Sequence, residues 1–212
     1  MDNDRHFVIA KEGWWHIAIA LLLAIVATIT IGWWSIGLWL FLLFVLQFFR
    51  DPNKDIPIDQ EGFLSPADGR VVLVEKCADP EDGHDAIKIS VFMNVFNIHS
   101  NRSPVEGVVT KRVYYPGRFF NAAFDKASSE NERNTIVIEA ENGCRVTCVQ
   151  IAGLLARRII CYPKEGDRLS RGQRYGFIRF GSRVDLYLPP TILPKVAIGD
   201  RVSAGETVVA DF

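Results

Sequence analysis

Residues 135–151 read TIVIEAENGCRVTCVQI, and this stretch indicates the architecture of most of the chain. Two runs rich in β-branched residues, Thr135–Ala140 and Arg145–Ile151, flank the dipeptide Asn142-Gly143. Such runs are typical of β-strands, and an Asn-Gly pair between two of them is typical of a tight hairpin turn. The stretch therefore predicts two neighbouring antiparallel strands.

Similar β-rich runs recur at close spacing through the rest of the chain after Pro52. They are Arg70–Lys76, Ala86–Phe92, Gly107–Tyr114, Arg157–Tyr162, Gly176–Ile178 and Arg183–Leu188. Between them there is no amphipathic helical pattern longer than about ten residues. The sequence therefore predicts a mainly β (α+β) domain with little helix.

A weak internal repeat lies near the carboxyl end. Gly166–Gln173 reads GDRLSRGQ, and Gly199–Glu206 reads GDRVSAGE. Two copies are too few for a solenoid, but they suit two related corners of a small barrel-sandwich. Carrier domains of that kind display a lysine at the corner, and neither copy has one there. The repeat therefore predicts a barrel-sandwich-like fold and says nothing about chemistry.

The amino-terminal part has a different character. Between Trp14 and Phe49 the only strongly polar side chains are those of His16 and Gln47. A straight helix of about 36 residues would be about 54 Å long, well beyond the ~30 Å hydrocarbon core of a bilayer. Glycines and tryptophans at residues 32–37 favour a turn, so we predict a hydrophobic helical hairpin with arms at about 15–31 and 36–49. The sequence leaves open whether this hairpin spans the bilayer or dips into it.

The two predicted parts are therefore a membrane-associated segment, residues 1–50, and a β domain, residues 51–212. A secretory signal peptide does not fit, because the apolar run is too long and lacks a cleavage site of small residues. Basic residues flank both ends of the run, Arg5 and Lys11 on one side and Arg50 and Lys54 on the other. This pattern predicts attachment to the cell membrane from its cytoplasmic face.

Charge and cysteine content argue against two classes of partner. The formal net charge is −1, so no overall basic field points to nucleic acid. The four cysteines, Cys77, Cys144, Cys148 and Cys161, form no CxxC pair, and the chain has only four histidines. We therefore predict no metal site and no nucleic-acid partner.

Four short segments are specific as an ordered set. They are Phe48–Pro52 (FFRDP), Ser65–Val71 (SPADGRV), Asn131–Arg133 (NER) and Phe180–Ser182 (FGS). In this order, behind an apolar amino terminus, they resemble the phosphatidylserine decarboxylase family and particularly its short bacterial and archaeal branch. The resemblance runs from about residue 48 to the carboxyl end.

The resemblance implies a proenzyme that cuts itself between Gly181 and Ser182. Ser182 would become a pyruvoyl cofactor, and the fragments 1–181 and 182–212 would remain together as a heterodimer, with further dimerisation left open. The pyruvoyl ketone would form a Schiff base with membrane phosphatidylserine and promote its decarboxylation to phosphatidylethanolamine. No residue distinguishes ester-linked from ether-linked lipids.

The resemblance also assigns roles to individual side chains. His99 matches an active-site histidine tied to decarboxylation, and Asp68 matches an acidic residue that would orient His99 or help to activate Ser182. Longer members carry a second histidine where this chain has Arg102, which is a poor base. Two options stay open: His99 serves both steps, or Asp68 acts with another partner. On local grounds alone, Asp68-Gly69 also suits a plain hairpin turn.

Arginines are candidates for the phosphate of the headgroup, because a guanidinium offers a two-pronged hydrogen-bond donor. Arg133, in the Asn-Glu-Arg motif, and Arg118 are the two we single out.

A non-catalytic, membrane-tethered barrel-sandwich adaptor is the alternative function, and it would leave the ordered motifs unexplained. An uncleaved, inactive relative is a third, suggested by Arg102.

Overall fold

The computed structural model describes residues 8–122, 130–154, 158–179 and 181–211. Phe180 of the Phe-Gly-Ser motif and Arg157, where one strand was predicted to begin, lie outside the described residues. The chain divides into two compact units, Met1–Asn53 and Lys54–Phe212. Each unit is described separately below.

The first unit is a helical hairpin. Helix α1 covers Trp14–Ile31, a short 3-10 turn covers Gly32–Ser35, and helix α2 covers Ile36–Phe48. Gly32 ends α1 with a φ of +57°, a conformation that glycine adopts without steric cost. At the other end of the hairpin, the Ala10 N–H donates to the Phe49 carbonyl oxygen at 2.8 Å, so the arms are antiparallel. The predicted hairpin is confirmed.

The hairpin packs on two small side chains of α1 and on larger apolar side chains of α2. Ala20 and Ala24 are buried on α1, and Leu42 and Val45 are buried on α2. Small residues let two helices approach closely, which is how helix pairs associate in lipid. The segment Lys11–Phe48, which contains an 18-residue window with a mean hydropathy of 2.3, is long and apolar enough to cross a membrane by length and composition.

The second unit contains thirteen strands among the described residues. These are β1 Phe63–Leu64, β2 Gly69–Ala78, β3 Asp85–Met93, β4 Ser100–Arg102, β5 Gly107–Tyr115, β6 Arg133–Glu139, β7 Arg145–Ala152, β8 Ile159–Cys161, β9 Arg168–Leu169, β10 Arg174–Ile178, β11 Ser182–Leu188, β12 Arg201–Val202 and β13 Val208–Ala210. The predicted strands are all present, and the mainly β fold class is confirmed. The strands that sequence reasoning missed have two or three residues each, too few to show an alternating pattern.

One curled, antiparallel sheet of eight strands forms the frame, in the order β12-β2-β3-β11-β7-β6-β5-β9. Strands β4, β10 and β8 form a smaller sheet, and β1 pairs with β13. Strand β11 lies centrally, between β3 and β7. It is buried on both faces: Val184 and Leu186 belong to the main core, while Arg183 and Asp185 are buried on the opposite face.

The carboxyl-terminal repeat corresponds to a structural duplication. Its two copies supply β9 and β12, which add to opposite edges of the large sheet. Gly166 donates its N–H to the Val109 carbonyl oxygen, and Gly199 donates to the Val71 carbonyl oxygen, both at 2.8 Å. The two copies are therefore equivalent corners, as the barrel-sandwich prediction required.

A second duplication escaped the sequence analysis. SPADG at 65–69 and SPVEG at 103–107 each lead into a long strand, β2 and β5 respectively. In both, the serine hydroxyl donates to the carbonyl oxygen two residues on at 2.7 Å, from Ser65 to Ala67 and from Ser103 to Val105. Asp68 therefore opens a strand and does not connect two paired strands, so the hairpin-turn interpretation is wrong.

Candidate active site

Ser182 is the first residue of β11 and is fully buried. Its cross-strand neighbours are Met93 on β3 and Ala152 on β7. Cross-strand neighbours share a face of the sheet, so its side chain faces the main core, and its Oγ lies 4.0 Å from the Met93 Sδ. The hydroxyl is thus held in a dry position next to the bond predicted to be cleaved.

The residue on the other side of that bond has an unusual backbone. Gly181 has a φ of +57°, in the left-handed region that residues with a Cβ adopt only at an energetic cost. The chain therefore changes direction immediately before Ser182.

Gly153 packs against the Gly181 carbonyl, and sequence reasoning missed it. A Cβ added at Gly153 would overlap the carbonyl oxygen of Gly181 and lie 2.9 Å from its carbonyl carbon. Only glycine therefore leaves room for the carbonyl in its present position. A glycine directly after the β7 run is only a weak sign that another backbone approaches closely, because glycine follows many strands for other reasons.

His99 precedes β4 and is fully buried. Its Nδ1 lies 2.9 Å from the Asn97 carbonyl oxygen, which only accepts, so Nδ1 carries a proton and donates. In the neutral ring Nε2 then holds the lone pair and is the nitrogen that takes up and releases a proton. The His99 carbonyl oxygen accepts from the Ile178 N–H at 3.2 Å, which ties the segment to β10.

The His99 segment and Ser182 meet at Met93. Asn101, two residues after His99, has its Nδ2 4.0 Å from the Met93 Sδ, the same sulfur that contacts Ser182. Gln150 donates its Nε2–H to the Asn101 Oδ1 at 2.8 Å and holds that amide in place. The structure therefore gathers the histidine segment and the serine around one methionine.

Asp68 contacts a residue that sequence reasoning did not propose. Its Oδ1 lies 3.1 Å from the Nζ of Lys54, which also reaches the Glu206 Oε2 at 3.2 Å. Among the described residues, the buried Asp68 Oδ2 has no hydrogen-bond partner. Burial raises the pKa of the Asp68 carboxyl, and the Lys54 ammonium opposes that rise. Lys54 therefore helps to set the charge of Asp68.

Arg102 is buried where longer family members have histidine. Its Nη1 donates to the Gly172 carbonyl oxygen at 3.0 Å, and its Cδ would lie 2.8 Å from a Cβ added at Gly205. These contacts tie together the two corners of the carboxyl-terminal repeat. Arg102 therefore has a structural environment and is not suited to act as a base.

The two candidate phosphate ligands lie in different settings. The guanidinium of Arg133 stacks over the Tyr115 ring at 4.4 Å. Arg133 and Arg183 are both paired with Ile151, so they share the face of the sheet opposite to the Ser182 side chain. The Arg118 side chain is 75% exposed and lies 3.9 Å from the Glu130 carboxylate, a weak contact.

Arg183, immediately after Ser182, is a third residue that the sequence analysis did not single out. It is fully buried, with its Nε 2.8 Å and its Nη2 3.0 Å from the two carboxylate oxygens of Asp185. Its Nη1 donates to the Ala122 carbonyl oxygen at 3.2 Å. A buried, two-pronged ion pair of this kind fixes the start of β11 from the face behind Ser182.

Comparison with known proteins agrees with the motif set. The family model for phosphatidylserine decarboxylase matches residues 41–210. A protein of Paraburkholderia phymatum is 58% identical over 211 residues, covering 99% of this chain and 100% of the relative. Relatives in Cupriavidus pinatubonensis and Burkholderia multivorans are 58% and 57% identical over 99% of this chain and 98% and 99% of their own lengths. All three are named phosphatidylserine decarboxylase proenzyme, which gives no support to a non-catalytic adaptor. The chain belongs to the phosphatidylserine decarboxylase family.

Proposed function

We propose that this chain is a proenzyme that cleaves itself between Gly181 and Ser182 and then decarboxylates phosphatidylserine to phosphatidylethanolamine. The observation that carries the proposal is the backbone at that bond: Gly181 is left-handed, and Gly153 packs against its carbonyl. An ordinary turn requires no such second glycine. The proenzyme names of the relatives support self-cleavage.

Breaking the peptide bond uses atoms of the chain alone, and one water molecule then supplies the oxygen of the new ketone. The Ser182 Oγ attacks the Gly181 carbonyl carbon, the peptide C–N bond breaks, and the acyl group moves to oxygen as an ester. Elimination then releases Gly181 as a free carboxylate, and hydrolysis converts residue 182 to a pyruvoyl group with loss of ammonia. The absence of a side chain on Gly181 leaves the attacked carbon uncrowded.

The pyruvoyl ketone supplies an electron sink for the pair of electrons left when carbon dioxide departs. A proton must then be returned to the substrate carbon, and we assign this step to Nε2 of His99. The hydrogen bond from Nδ1 to the Asn97 carbonyl oxygen holds the ring for this role. Of the two arginines, Arg118 is the better candidate for the headgroup phosphate because its guanidinium is exposed.

The cleaved fragments are expected to stay together. Fragment 182–212 contributes β11, β12 and β13, and each of these pairs with strands of fragment 1–181. Strand β11 is enclosed between β3 and β7, so its release would open the large sheet. We expect both fragments in one complex by native mass spectrometry and two separate masses under denaturing conditions. Recovery of fragment 1–181 alone from the native complex would contradict this arrangement.

Lys54 provides a pH-dependent test of Asp68. Replacing Lys54 by methionine removes the positive charge that opposes the raised pKa of Asp68, so that pKa rises further. The Asp68 carboxylate then forms only at higher pH, so the acid limb of the rate–pH profile shifts to higher pH. Burial raises the folded-state pKa of Asp68 above its unfolded value, so ionisation of Asp68 destabilises the fold. The free energy of unfolding therefore decreases as pH rises through that folded-state pKa.

The matched control is Lys54→Arg, which keeps the charge and should leave the acid limb in place. Self-cleavage and decarboxylation are followed separately across pH, the first by gel and the second by product formation. An unchanged acid limb in Lys54→Met, for both steps, would remove Asp68 from the proposed machinery.

The hairpin gives the enzyme a place beside its substrate. We propose that the apolar segment Lys11–Phe48 attaches the protein to the cell membrane, with the second unit on the cytoplasmic face. The flanking charges of Lys11 and Arg50 support this orientation. Attachment keeps the lipid within reach without extracting its acyl chains into water.

The direct test is conversion of phosphatidylserine to phosphatidylethanolamine by the purified protein in detergent micelles. Carbonyl-blocking reagents such as hydroxylamine should abolish activity, because they consume a ketone that an ordinary chain does not have. Ester-linked and ether-linked substrates are assayed in parallel, since they share the headgroup. Activity that survives the carbonyl reagent would overturn the pyruvoyl proposal.

A further inference from the structure

The tryptophans of this protein mark two levels of the hairpin. All five lie in the first 40 residues, so the second unit has none. Trp14 and Trp15 begin α1, at the end of the hairpin that also carries Lys11 and Arg50. Trp33 and Trp34 lie in the turn at the opposite tip. Indole side chains favour the interface between hydrocarbon and water, so two separate pairs indicate two separate interfaces.

The distance between these levels fits the thickness of a bilayer. Helix α1 has 18 residues. At about 1.5 Å per residue it is roughly 27 Å long, close to the ~30 Å hydrocarbon core. The 13 residues of α2 are roughly 20 Å long, and the four residues of the 3-10 turn before it add about 8 Å, so the second arm is of similar length. The hydrogen bond from Ala10 to Phe49 closes the hairpin at the level where α1 begins.

Three polar side chains in the half of the hairpin nearer the tip make hydrogen bonds within it. The Trp39 indole N–H donates to the Thr28 hydroxyl at 3.0 Å, and the Thr28 hydroxyl is 2.8 Å from the Ala24 carbonyl oxygen. The Thr30 hydroxyl is 2.9 Å from the Val26 carbonyl oxygen. Hydrocarbon offers no hydrogen-bond partner, so internal bonding of this kind is what a segment inside a bilayer needs.

At the tip of the hairpin, the two tryptophan side chains are not hydrogen-bonded within the described residues. The side chains of Trp33 and Trp34 are 91% and 85% exposed. Within the described chain their indole N–H groups make no hydrogen bond, unlike that of Trp39. An exposed indole with no internal hydrogen bond is suited to the membrane interface, where lipid headgroups or water can accept a hydrogen bond from its N–H. No Asp, Glu, Lys or Arg lies between Glu12 and Arg50, so moving the tip across hydrocarbon buries no formal charge.

We propose that the hairpin crosses the whole hydrocarbon core, with Trp14 and Trp15 at the near interface and Trp33 and Trp34 at the far one. The partner is the lipid bilayer itself. The inference rests on the membrane attachment proposed above and adds its depth. It excludes a hairpin whose tip ends in the middle of the bilayer and a hairpin that lies flat on the surface.

Intrinsic fluorescence tests this depth directly, because every tryptophan belongs to the hairpin. Three full-length variants are compared, with all other tryptophans changed to phenylalanine. One keeps Trp14 and Trp15, one keeps Trp33 and Trp34, and one carries only Leu22→Trp, midway along α1. Each is reconstituted in vesicles of phosphatidylcholine and phosphatidylglycerol that contain lipids brominated either near the headgroup or near the chain ends.

We expect headgroup-proximal bromine to cause the larger loss of fluorescence in the base and tip variants, and chain-end bromine to cause it in the Leu22→Trp variant. Deep quenching of the tip pair would place the tip at mid-bilayer and overturn the proposal. Shallow quenching of all three would mean a flat hairpin and would also overturn it. Vesicle flotation separates the two proposals: protein that fails to float with lipid refutes attachment itself, whereas floating protein with either contrary pattern refutes only the depth.

Discussion

Ser182→Ala is expected to yield one uncut chain of 212 residues with no decarboxylase activity, whereas the wild type yields fragments 1–181 and 182–212. The alanine lacks the oxygen that attacks the Gly181 carbonyl, and without that oxygen as an ester leaving group no elimination can convert residue 182 to a ketone. We expect self-cleavage and ketone formation both to be lost completely, because a neighbouring water molecule cannot take the place of the Ser182 hydroxyl, which is part of the chain. Intact-mass analysis reads the first loss, and phosphatidylethanolamine formation reads the second.

Ser90→Ala is the matched control. Ser90 is another fully buried serine of the same sheet, on β3, but it pairs with Asp185 and therefore faces away from the Ser182 side chain. We expect this variant to be cut and active. Cleavage of Ser182→Ala at the same bond, or full activity of an uncut wild-type chain, would refute the proposed function.

Gly153→Ala is expected to produce the second-largest effect, a loss of self-cleavage of about 100-fold, since a displacement of about 1 Å of a reacting group has that cost. The added methyl group would overlap the Gly181 carbonyl oxygen, and both partners are backbone atoms that cannot simply rotate away. The carbonyl must move, and its alignment with the Ser182 Oγ is lost. The uncut chain then accumulates, which a time course of processing on denaturing gels measures.

Gly107→Ala separates this local effect from general destabilisation. A Cβ at Gly107 would overlap the Glu139 carbonyl oxygen in a similar way, but this contact joins β5 and β6 at the end of the sheet away from Ser182. Its melting temperature should fall, while the folded protein is still processed. Normal processing of Gly153→Ala would show that Gly153 does not position the carbonyl.

Two equivalent positions of the duplicated motif carry acids that differ in burial. Asp68 and Glu106 precede β2 and β5 in the same way. Glu106 is exposed and forms a surface ion pair with Arg168 at 2.9 Å, whereas Asp68 is buried beside Lys54. A buried charge is costly unless it is paired, and its pKa responds strongly to that partner. Asp68 and Glu106 therefore differ in burial and in ion-pair partner, although the motifs that carry them are alike.

Strand positions were predictable because burial of a pleated sheet imposes an alternation that local sequence records, as in β6, β7 and the Asn142-Gly143 turn between them. The hairpin was predictable because its apolar composition continues over many residues and is interrupted by the glycines and tryptophans of the turn. The family was identified from Ser65–Val71, Asn131–Arg133 and Phe180–Ser182, since together these few residues are specific. For each of these features the information lies in neighbouring residues.

The contacts of Gly153 with Gly181, of Lys54 with Asp68 and of Met93 with Ser182 required the folded chain. Each joins segments far apart in sequence, and which segments meet is decided by sheet order and by burial. No local pattern reports that Gly153 faces a carbonyl 28 residues later, because glycine follows many strands for other reasons. Composition and motifs thus indicated the kind of chemistry, whereas sheet order and burial in the folded chain decided which atoms surround the bond proposed to be cut.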